Sequence, residues 1–164
     1  MADVFLHEWE DRAHPPHDAA YAAARPLAVA ALASFLASLV YRQAAALAVD
    51  FEDFRSVLWQ ANALCISSGC GTGAGRAQRL VQAVLAGEGV THLGPAPGGP
   101  PTGALLSLSS APDAELEMDE LSEILQTLQT ALGADVQIIF GHSTDDALPA
   151  ATLHLWLLLG YPKS

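Results

Sequence analysis

The chain has 164 residues, which is enough for one domain with a hydrophobic core and an extension. A hydrophobic fraction of 51% excludes disorder throughout the chain. The formal net charge is −11, from 18 acidic residues against 7 lysines and arginines. Nucleic acids and anionic membranes are bound by clustered cations, so this charge argues against both as partners. Arg76 and Arg79, on one short predicted helix, come nearest to a basic pair.

The first 18 residues, 1–18, are acidic and are predicted to form an extension. They lack the positive charge that opens a signal peptide. They carry three histidines whose spacing matches no tight metal site, so no metal is expected there: His7, His14 and His17. Residues 19–47 follow as one long apolar helix. Its most apolar stretch, 27–41, is shorter than the about 18–20 residues of a spanning helix, so we predict a buried helix and no membrane span.

A second, short helix is predicted over residues 51–59, with Asp50 as its N-cap. The strand 61–66 then leads through a glycine-rich turn, 67–75, into a helix. The predicted inner face of that helix is apolar: Ala77, Leu80, Val81, Val84 and Leu85. Residues 87–103 hold six glycines and four prolines, a composition that predicts a surface loop.

Regular structure resumes with a strand at 104–109 and a helix at 118–131. One face of this helix is predicted to be apolar: Met118, Leu121, Ile124, Leu125 and Leu128. Strands at 136–140 and 152–159 are predicted to pair as a hairpin. The order predicts an α+β two-layer sandwich over 48–164, in which a four-stranded mixed sheet carries two helices on one face and follows the long central helix.

The two cysteines, Cys65 and Cys70, do not make the disulfide framework of a secreted protein, and no further cysteine or paired histidine completes a zinc site. We expect both to be reduced thiols in a cytoplasmic protein. The remaining histidines, His142 and His154, are expected to be ordinary residues of the sheet or its loops. No cofactor is expected.

The glycine-rich turn allows two interpretations. A strand, a glycine-rich segment and a helix in succession point backbone amides at a phosphate in nucleotide-binding proteins. The residues that would bind are Gly69, Gly71, Thr72, Gly73 and Gly75. Against this, no lysine follows as in a P-loop, and no strand with a ribose-binding acid follows at about 20 residues. The structural alternative is a tight strand-to-helix turn that needs positive φ angles.

Three carboxylates lie close together in the segment Asp50-Phe51-Glu52-Asp53. Helix capping is one explanation, because acids are stabilised near a helix N-terminus. Asp50 and Asp53 also lie one helical turn apart, and carboxylates in that arrangement can orient a water molecule or accept its proton. Elsewhere the spacing of serines and histidines suggests no nucleophile with its base.

Together these segments resemble the second half of the bacterial tubulin homologue FtsZ. The resemblance starts with Ala48-Val49-Asp50-Phe51-Glu52-Asp53 and continues through Ser68-Gly69 and Gly75-Arg76-Ala77. It includes Gly103-Ala104-Leu105-Leu106-Ser107-Leu108, the helix around Asp119-Glu120-Leu121, and Val136-Gln137-Ile138-Ile139-Phe140-Gly141 up to Gly160. It covers about residues 27–160. It implies a central helix and the C-terminal domain of the FtsZ and tubulin family, without the N-terminal GTP-binding domain.

In that family, the loop that matches residues 48–53 enters the nucleotide pocket of the next subunit, where its acids position the attacking water. The resemblance therefore implies a contact with a partner through Asp50, Phe51, Glu52 and Asp53, with Asp50 and Asp53 acting in trans. The family's asparagine in this loop is Ala48 here. We expect no catalysis by the chain alone, and a role as a protein-interaction or filament-regulating module.

Two alternatives remain open at this point. One is a small nucleotide- or phosphate-binding protein that uses the glycine-rich turn. The other is a homo-oligomeric scaffold, because a sheet of four strands cannot hide every apolar residue of the long helix, and soluble monomers rarely expose such a patch. The apolar residues that cannot all be hidden are Leu32, Phe35, Leu36, Leu39 and Val40. The expected partner is thus an FtsZ or tubulin homologue, or a second copy.

Overall fold

The computed structural model describes residues 29–37, 49, 51–59, 61–87, 90–93 and 99–162. The predictions for residues 1–18 and for Asp50 lie outside these ranges. Of the long helix predicted over 19–47, residues 29–37 are described, and they are helical. We call this segment α1. No described helix is long and apolar enough to cross a membrane.

The other helices are α2, Phe51–Trp59, α3, Arg76–Leu85, and α4, Met118–Leu132. Five strands are described: β1 Ala63–Thr72, β2 Thr91–Leu93, β3 Gly103–Ser110, β4 Gln137–Thr144 and β5 Thr152–Tyr161. The α+β class and the two-layer arrangement of a mixed sheet with helices are confirmed. The bounds of α2 match the prediction, whereas each predicted strand is longer in the structure.

The strands lie in the order β2-β1-β5-β3-β4. Strand β3 pairs in parallel with β4, and β5 pairs antiparallel with both β1 and β3. The hairpin predicted between β4 and β5 is therefore wrong. The reason lies in the composition of β5, because Leu155, Leu157, Leu158 and Leu159 are buried on both faces of the sheet. Such a strand is stable at the centre of a sheet, not at its edge.

Two further corrections concern the glycine-rich segments. Strand β1 continues to Thr72, so that most of the predicted turn 67–75 is strand. The predicted loop 87–103 contains β2, which pairs antiparallel with β1 and gives the sheet a fifth strand. Glycine disfavours strands only weakly, and the ladder to β5 outweighs that preference over all ten residues of β1.

One face of the sheet packs against α3 and α4. The buried core there includes side chains of both helices and of strands β3 and β5: Leu80, Val84, Ile124, Leu128, Leu106, Leu108, Leu155 and Leu157. Two residues predicted for the inner helix faces are instead exposed. Leu85 ends α3 with 40% of its surface accessible, and Met118 begins α4 with 74% accessible. Both lie at the end of a helix.

The opposite face packs against α1 and α2 through a second core, whose buried members include Leu32, Phe35, Val57, Leu64, Ile66, Leu105 and Leu158. Leu32 and Phe35 are thus hidden within the chain itself, and Leu36 is partly buried against this core. The prediction that the five apolar residues of the long helix cannot all be hidden stays a prediction. Leu39 and Val40 lie outside the described residues.

Candidate functional site

Helix α2 rests directly on two glycines of the sheet. Gly103 and Gly160 are register partners on β3 and β5. A Cβ atom at Gly103 would lie 3.2 Å from a methyl carbon of Val57, and one at Gly160 would lie 2.7 Å from the Val57 carbonyl oxygen. Because any side chain there would displace the helix, these glycines let α2 approach the sheet closely and fix its position.

The side of α2 that faces away from the sheet carries charged and aromatic residues. Glu52 is 76% exposed and lies 3.5 Å from the guanidinium of Arg55. The Arg55 guanidinium carbon lies 4.9 Å from the ring centroid of Trp59, which is 56% exposed. Spacings of three and four residues place these side chains in one line on the helix. A rigid helix thus presents an acid, a cation and a large aromatic ring in succession.

The acidic segment predicted from the sequence is described in part. Asp50 lies outside the described residues, and Phe51 is the first residue of α2. Glu52 is exposed and Asp53 is partly buried, with its carbonyl oxygen accepting a 2.7 Å hydrogen bond from the Ser56 hydroxyl. The sequence analysis missed Arg55 and Trp59. Their spacing from Glu52 on a predicted helix was the available signal.

The glycine-rich segment serves to pack α3 against β1. A Cβ atom at Gly71 would lie 2.0 Å from the Arg76 carbonyl oxygen, and one at Gly69 would lie 3.0 Å from a methyl group of Val84. Gly73 and Gly75 have φ angles of 70° and 68°, the left-handed values that favour glycine. The structural interpretation of a tight turn with positive φ angles is confirmed for these two residues.

Two amides and one hydroxyl of this turn already have partners within the protein. The Gly73 amide donates to the Ala151 carbonyl oxygen at 3.0 Å, and the Arg76 amide donates to the Gly73 carbonyl oxygen at 3.1 Å. The Thr72 hydroxyl lies 3.3 Å from that of Thr152. These two amides are therefore not available to a phosphate.

Arg76 is buried, which corrects its assignment to a basic pair with Arg79. Its Nε and Nη2 atoms donate to the two carboxylate oxygens of Glu120, both at 2.7 Å. It also donates to the carbonyl oxygens of Ala114 and Glu115. The hydrogen bonds from Arg76 hold the pKa of Glu120 below its usual value, and Glu120 raises the pKa of Arg76. Arg79 donates to the Thr72 carbonyl oxygen. These cations stabilise the fold and form no basic surface.

The histidines and cysteines of the sheet fall on its two faces. His142 Nε2 lies 2.9 Å from the Ser110 hydroxyl, and the ring of His154 meets Trp156 edge-on, with centroids 5.7 Å apart. Neither Cys65 nor Cys70 is in a disulfide. Burial raises the pKa of the Cys65 thiol to about 11 and also raises that of Cys70. Within the described residues, no group of three or more histidine, cysteine or acidic side chains is placed to hold a metal ion.

Solved structures of FtsZ and CetZ contain a region with a fold similar to that of this chain. An FtsZ dimer from M. jannaschii matches with a TM-score of 0.64 and 22% identity, over 93% of this chain and 42% of the FtsZ chain. A mutant of the same FtsZ gives the same score over 43% of its length. CetZ from Methanosaeta thermophila matches with a TM-score of 0.58 and 12% identity, over 84% of this chain and 36% of CetZ.

No protein-family model matches the sequence, and no curated protein matches it. At 22% identity the likeness establishes the fold, and the chain spans less than half the length of the FtsZ and CetZ chains. The resemblance to FtsZ noted in the sequence is thus confirmed for the fold, and this chain has the architecture of one part of an FtsZ molecule.

Proposed function

We propose that the chain is a non-catalytic module that binds a tubulin homologue through α2 and the acidic segment before it, and that it regulates the filament of that homologue. The observation that carries this proposal is the outward side of α2. There the exposed Trp59 and Arg55 lie next to Glu52 and Asp53. Tryptophan and arginine are the residues most enriched among those that dominate binding energy at protein interfaces.

The rigid seating of α2 supports the same proposal. A helix fixed against Gly103 and Gly160 loses little conformational entropy when its outer side meets a partner. A single exposed aromatic ring is common on protein surfaces. The Trp59 ring is in addition covered by Arg55, which pairs with Glu52, so this surface offers both apolar area and directional charge. Such a surface suits a protein partner better than a small molecule, because it is convex along a helix and not concave.

In this proposal the acidic segment meets the nucleotide-bearing end of the filament, so the docked chain occupies the position of an incoming subunit. Growth at that end stops, and hydrolysis there is stimulated in trans by Asp50 and Asp53. The chain alone does not hydrolyse GTP. Support for this last point comes from the glycine-rich turn, whose amides are committed within the protein at Gly73 and Arg76.

Assembly of the tubulin homologue of the source organism, followed by light scattering with GTP, tests the proposal. At stoichiometric concentration the wild-type chain should stop growth. The double variant Asp50→Ala/Asp53→Ala should fold normally, since a lost helix cap costs about 1 kcal/mol, and should lose stimulated turnover. The matched control Glu123→Ala/Asp135→Ala removes the same charge from exposed positions elsewhere and should act as wild type. Unchanged assembly and turnover with the wild-type chain would show the proposal to be wrong.

A nucleotide-binding function has less support, but calorimetry with GTP and ATP tests it separately. Micromolar affinity that is lost in Thr72→Val would favour it over the regulatory function.

The oligomeric alternative also remains a prediction. Burial of Leu32 and Phe35 within the chain removes part of its basis. Light scattering of the isolated chain, which gives its molar mass directly, distinguishes a monomer from a dimer.

A further inference from the structure

Strand β4 forms one edge of the described sheet, and no described strand lies beyond it. The Asp145 amide, just after β4, donates to the Ser110 carbonyl oxygen of β3 at 2.9 Å. Successive residues of a strand direct their backbone groups alternately to its two sides, so the odd-numbered residues of β4 face β3. The even-numbered residues, among them Ile138 and Phe140, therefore direct their N–H and C=O groups outward from the sheet.

The composition of β4 does not protect this edge from pairing. Edge strands are usually kept apart from other chains by lysine or other charged residues, by proline, or by being very short. The strand Gln137–Thr144 has eight residues and contains no lysine, arginine, acidic residue or proline. The strand at the opposite edge, β2, has three residues. Of the two edges, β4 is therefore the one suited to pairing with a further strand.

Apolar side chains lie on both faces of this edge at the same level. Ile138 and Phe140 pack against the core under α3 and α4, whereas Ile139 packs against the core on the opposite face. All three are only partly buried. A strand added beside them would complete their burial only by bringing apolar side chains to both faces at this level. The segment Ile138–Phe140 is itself such a strand, which favours a second copy of the chain as the occupant.

From these observations we propose that two copies of the chain join through β4 as antiparallel strands, about a two-fold axis at Ile139. Their two sheets then form one continuous sheet. In this register Ile138 is opposite the partner's Phe140, and the two residues exchange both of their outward backbone hydrogen bonds. Symmetry repeats this pair on the other side of the axis. On the opposite face Ile139 meets the partner's Ile139, and pairs of β-branched and aromatic residues stabilise neighbouring strands.

The charge of the chain selects both this strand and this register. Two copies that each carry −11 repel one another, so a contact between them must keep acids apart. Strand β4 is neutral and is flanked by Asp135 and Asp145. With the axis at Ile139, Asp135 is opposite the partner's Ser143. A shift of two residues towards the C-terminus would place Asp135 opposite the partner's Asp145, and like charges directly opposite are destabilising. The reverse shift would place Ile139 opposite the partner's Gln137 and lose the apolar pair.

The symmetry of this dimer determines where its helices lie. Antiparallel pairing within one sheet places the two-fold axis perpendicular to the sheet, so each face of one copy continues into the same face of the other. Both α2 helices therefore lie on the same side of the joined sheet. Resting on the function proposed above, the dimer would engage two sites of a filament at once and gain affinity from that second contact. Dimer formation itself does not depend on that function.

Sedimentation equilibrium of the full chain alone tests the proposal. We expect twice the mass of one chain at about 100 μM. Ile139→Lys places two ammonium groups at the axis and should weaken the dimer by at least about 10-fold, as should Ile139→Glu. An equimolar mixture of these two variants should restore the dimer, because opposite charges then face one another. Gln82→Lys adds the same charge at an exposed position of α3 and should dimerise as wild type.

Disulfide trapping supplies a second measurement that needs no charged variant to fold. In a Cys70→Ser background, Ile139→Cys should form a covalent dimer on mild oxidation, because directly opposite residues have Cβ atoms about 4.5–5.5 Å apart. Thr144→Cys should not, since it would lie about 33 Å from its equivalent in this register. A monomeric wild-type chain at about 100 μM would overturn the proposal. A dimer that Ile139→Lys leaves intact, or equal trapping of both cysteine variants, would also overturn it.

Discussion

Helices α2 and α3 lie on opposite faces of the sheet, and each approaches it over a pair of glycines. For α3 the glycines are neighbours on one strand, Gly69 and Gly71, whereas for α2 they come from two strands, Gly103 and Gly160. The first pair resembles a phosphate-binding loop in the sequence, and the second forms no motif at all. The difference shows that a glycine cluster and a dispersed glycine pair can serve one purpose, the close approach of a helix backbone.

The two contacts also differ in what holds the helix besides glycine. Helix α3 is fixed at its first residue by Arg76, which reaches Glu120 of α4 and two carbonyl oxygens of the intervening segment. The described ion pair of α2 joins Glu52 to Arg55 on the outer side of the same helix, so it does not hold α2 against the sheet. Helix α3 is therefore held by both hydrogen bonds and apolar contacts, whereas the position of α2 depends on how closely its surface fits the sheet.

The largest loss of stability is expected when Gly71 is replaced. In Gly71→Ala the added carbon would lie 2.0 Å from a backbone oxygen of α3, which cannot move without shifting the helix and the Arg76 anchor. We expect a loss of about 4 kcal/mol or failure to fold. Gly99→Ala is the control, because a Cβ there meets no atom within 4 Å. Urea unfolding measures both, and a loss of under about 1 kcal/mol in Gly71→Ala would contradict this account of α3.

The second largest loss of stability is expected when the ion pair between Arg76 and Glu120 is broken. Glu120→Gln should cost about 3 kcal/mol at pH 7, because it leaves Arg76 buried without its counter-charge. The folded-state pKa of Glu120 lies below its unfolded value, so its contribution is complete above that unfolded value, about 4.3. The contribution is lost as the pH falls through the folded-state pKa. The gap in Tm between wild type and variant should therefore narrow towards pH 3; a gap that stays constant would contradict the assignment.

Alanine substitutions at the two glycines under α2 should differ in their cost to stability and in whether a second substitution rescues them. Gly160→Ala meets the Val57 carbonyl oxygen and should cost about 2 kcal/mol, whereas Gly103→Ala meets the side chain of Val57 and should cost about 1 kcal/mol. Shortening that side chain with Val57→Ala should rescue Gly103→Ala and leave Gly160→Ala unrescued. Double-mutant cycles in urea measure this coupling. Equal rescue of both would mean that α2 does not rest on the sheet as described.

The smallest effect on stability is expected on the outer side of α2, where the proposed contact lies. Trp59→Ala should change the free energy of unfolding by under about 0.5 kcal/mol. It should nevertheless weaken docking to the tubulin homologue by about 10-fold or more, as loss of an aromatic anchor does at other interfaces. Met118→Ala removes an even more exposed apolar side chain, on α4, and is the matched control. Equal docking by both variants would exclude α2 as the contact.

Sequence reasoning succeeded where the signal was local. The bounds of α2 followed from apolar spacing, and the mixed sheet followed from the order of elements. It failed where tertiary pairing overrode local preference: β1 incorporated the glycines of the predicted turn, and β5 moved to the centre of the sheet. The pairing of Cys70 with His154 could not be predicted, since strand register brings these residues together from distant parts of the chain.

Strand β5 follows the four other described strands in the sequence, yet it joins β1 to β3 at the middle of the sheet. During synthesis, β1 and β3 therefore have no common neighbour until Tyr161 has left the ribosome. The nascent chain carries β1 and the β3–β4 pair as separate pieces with open edges, which are prone to mispairing and chaperone capture. Closure of the sheet joins segments about 80 residues apart, such as Thr72 and Thr152, so folding should be slow for a domain of this size.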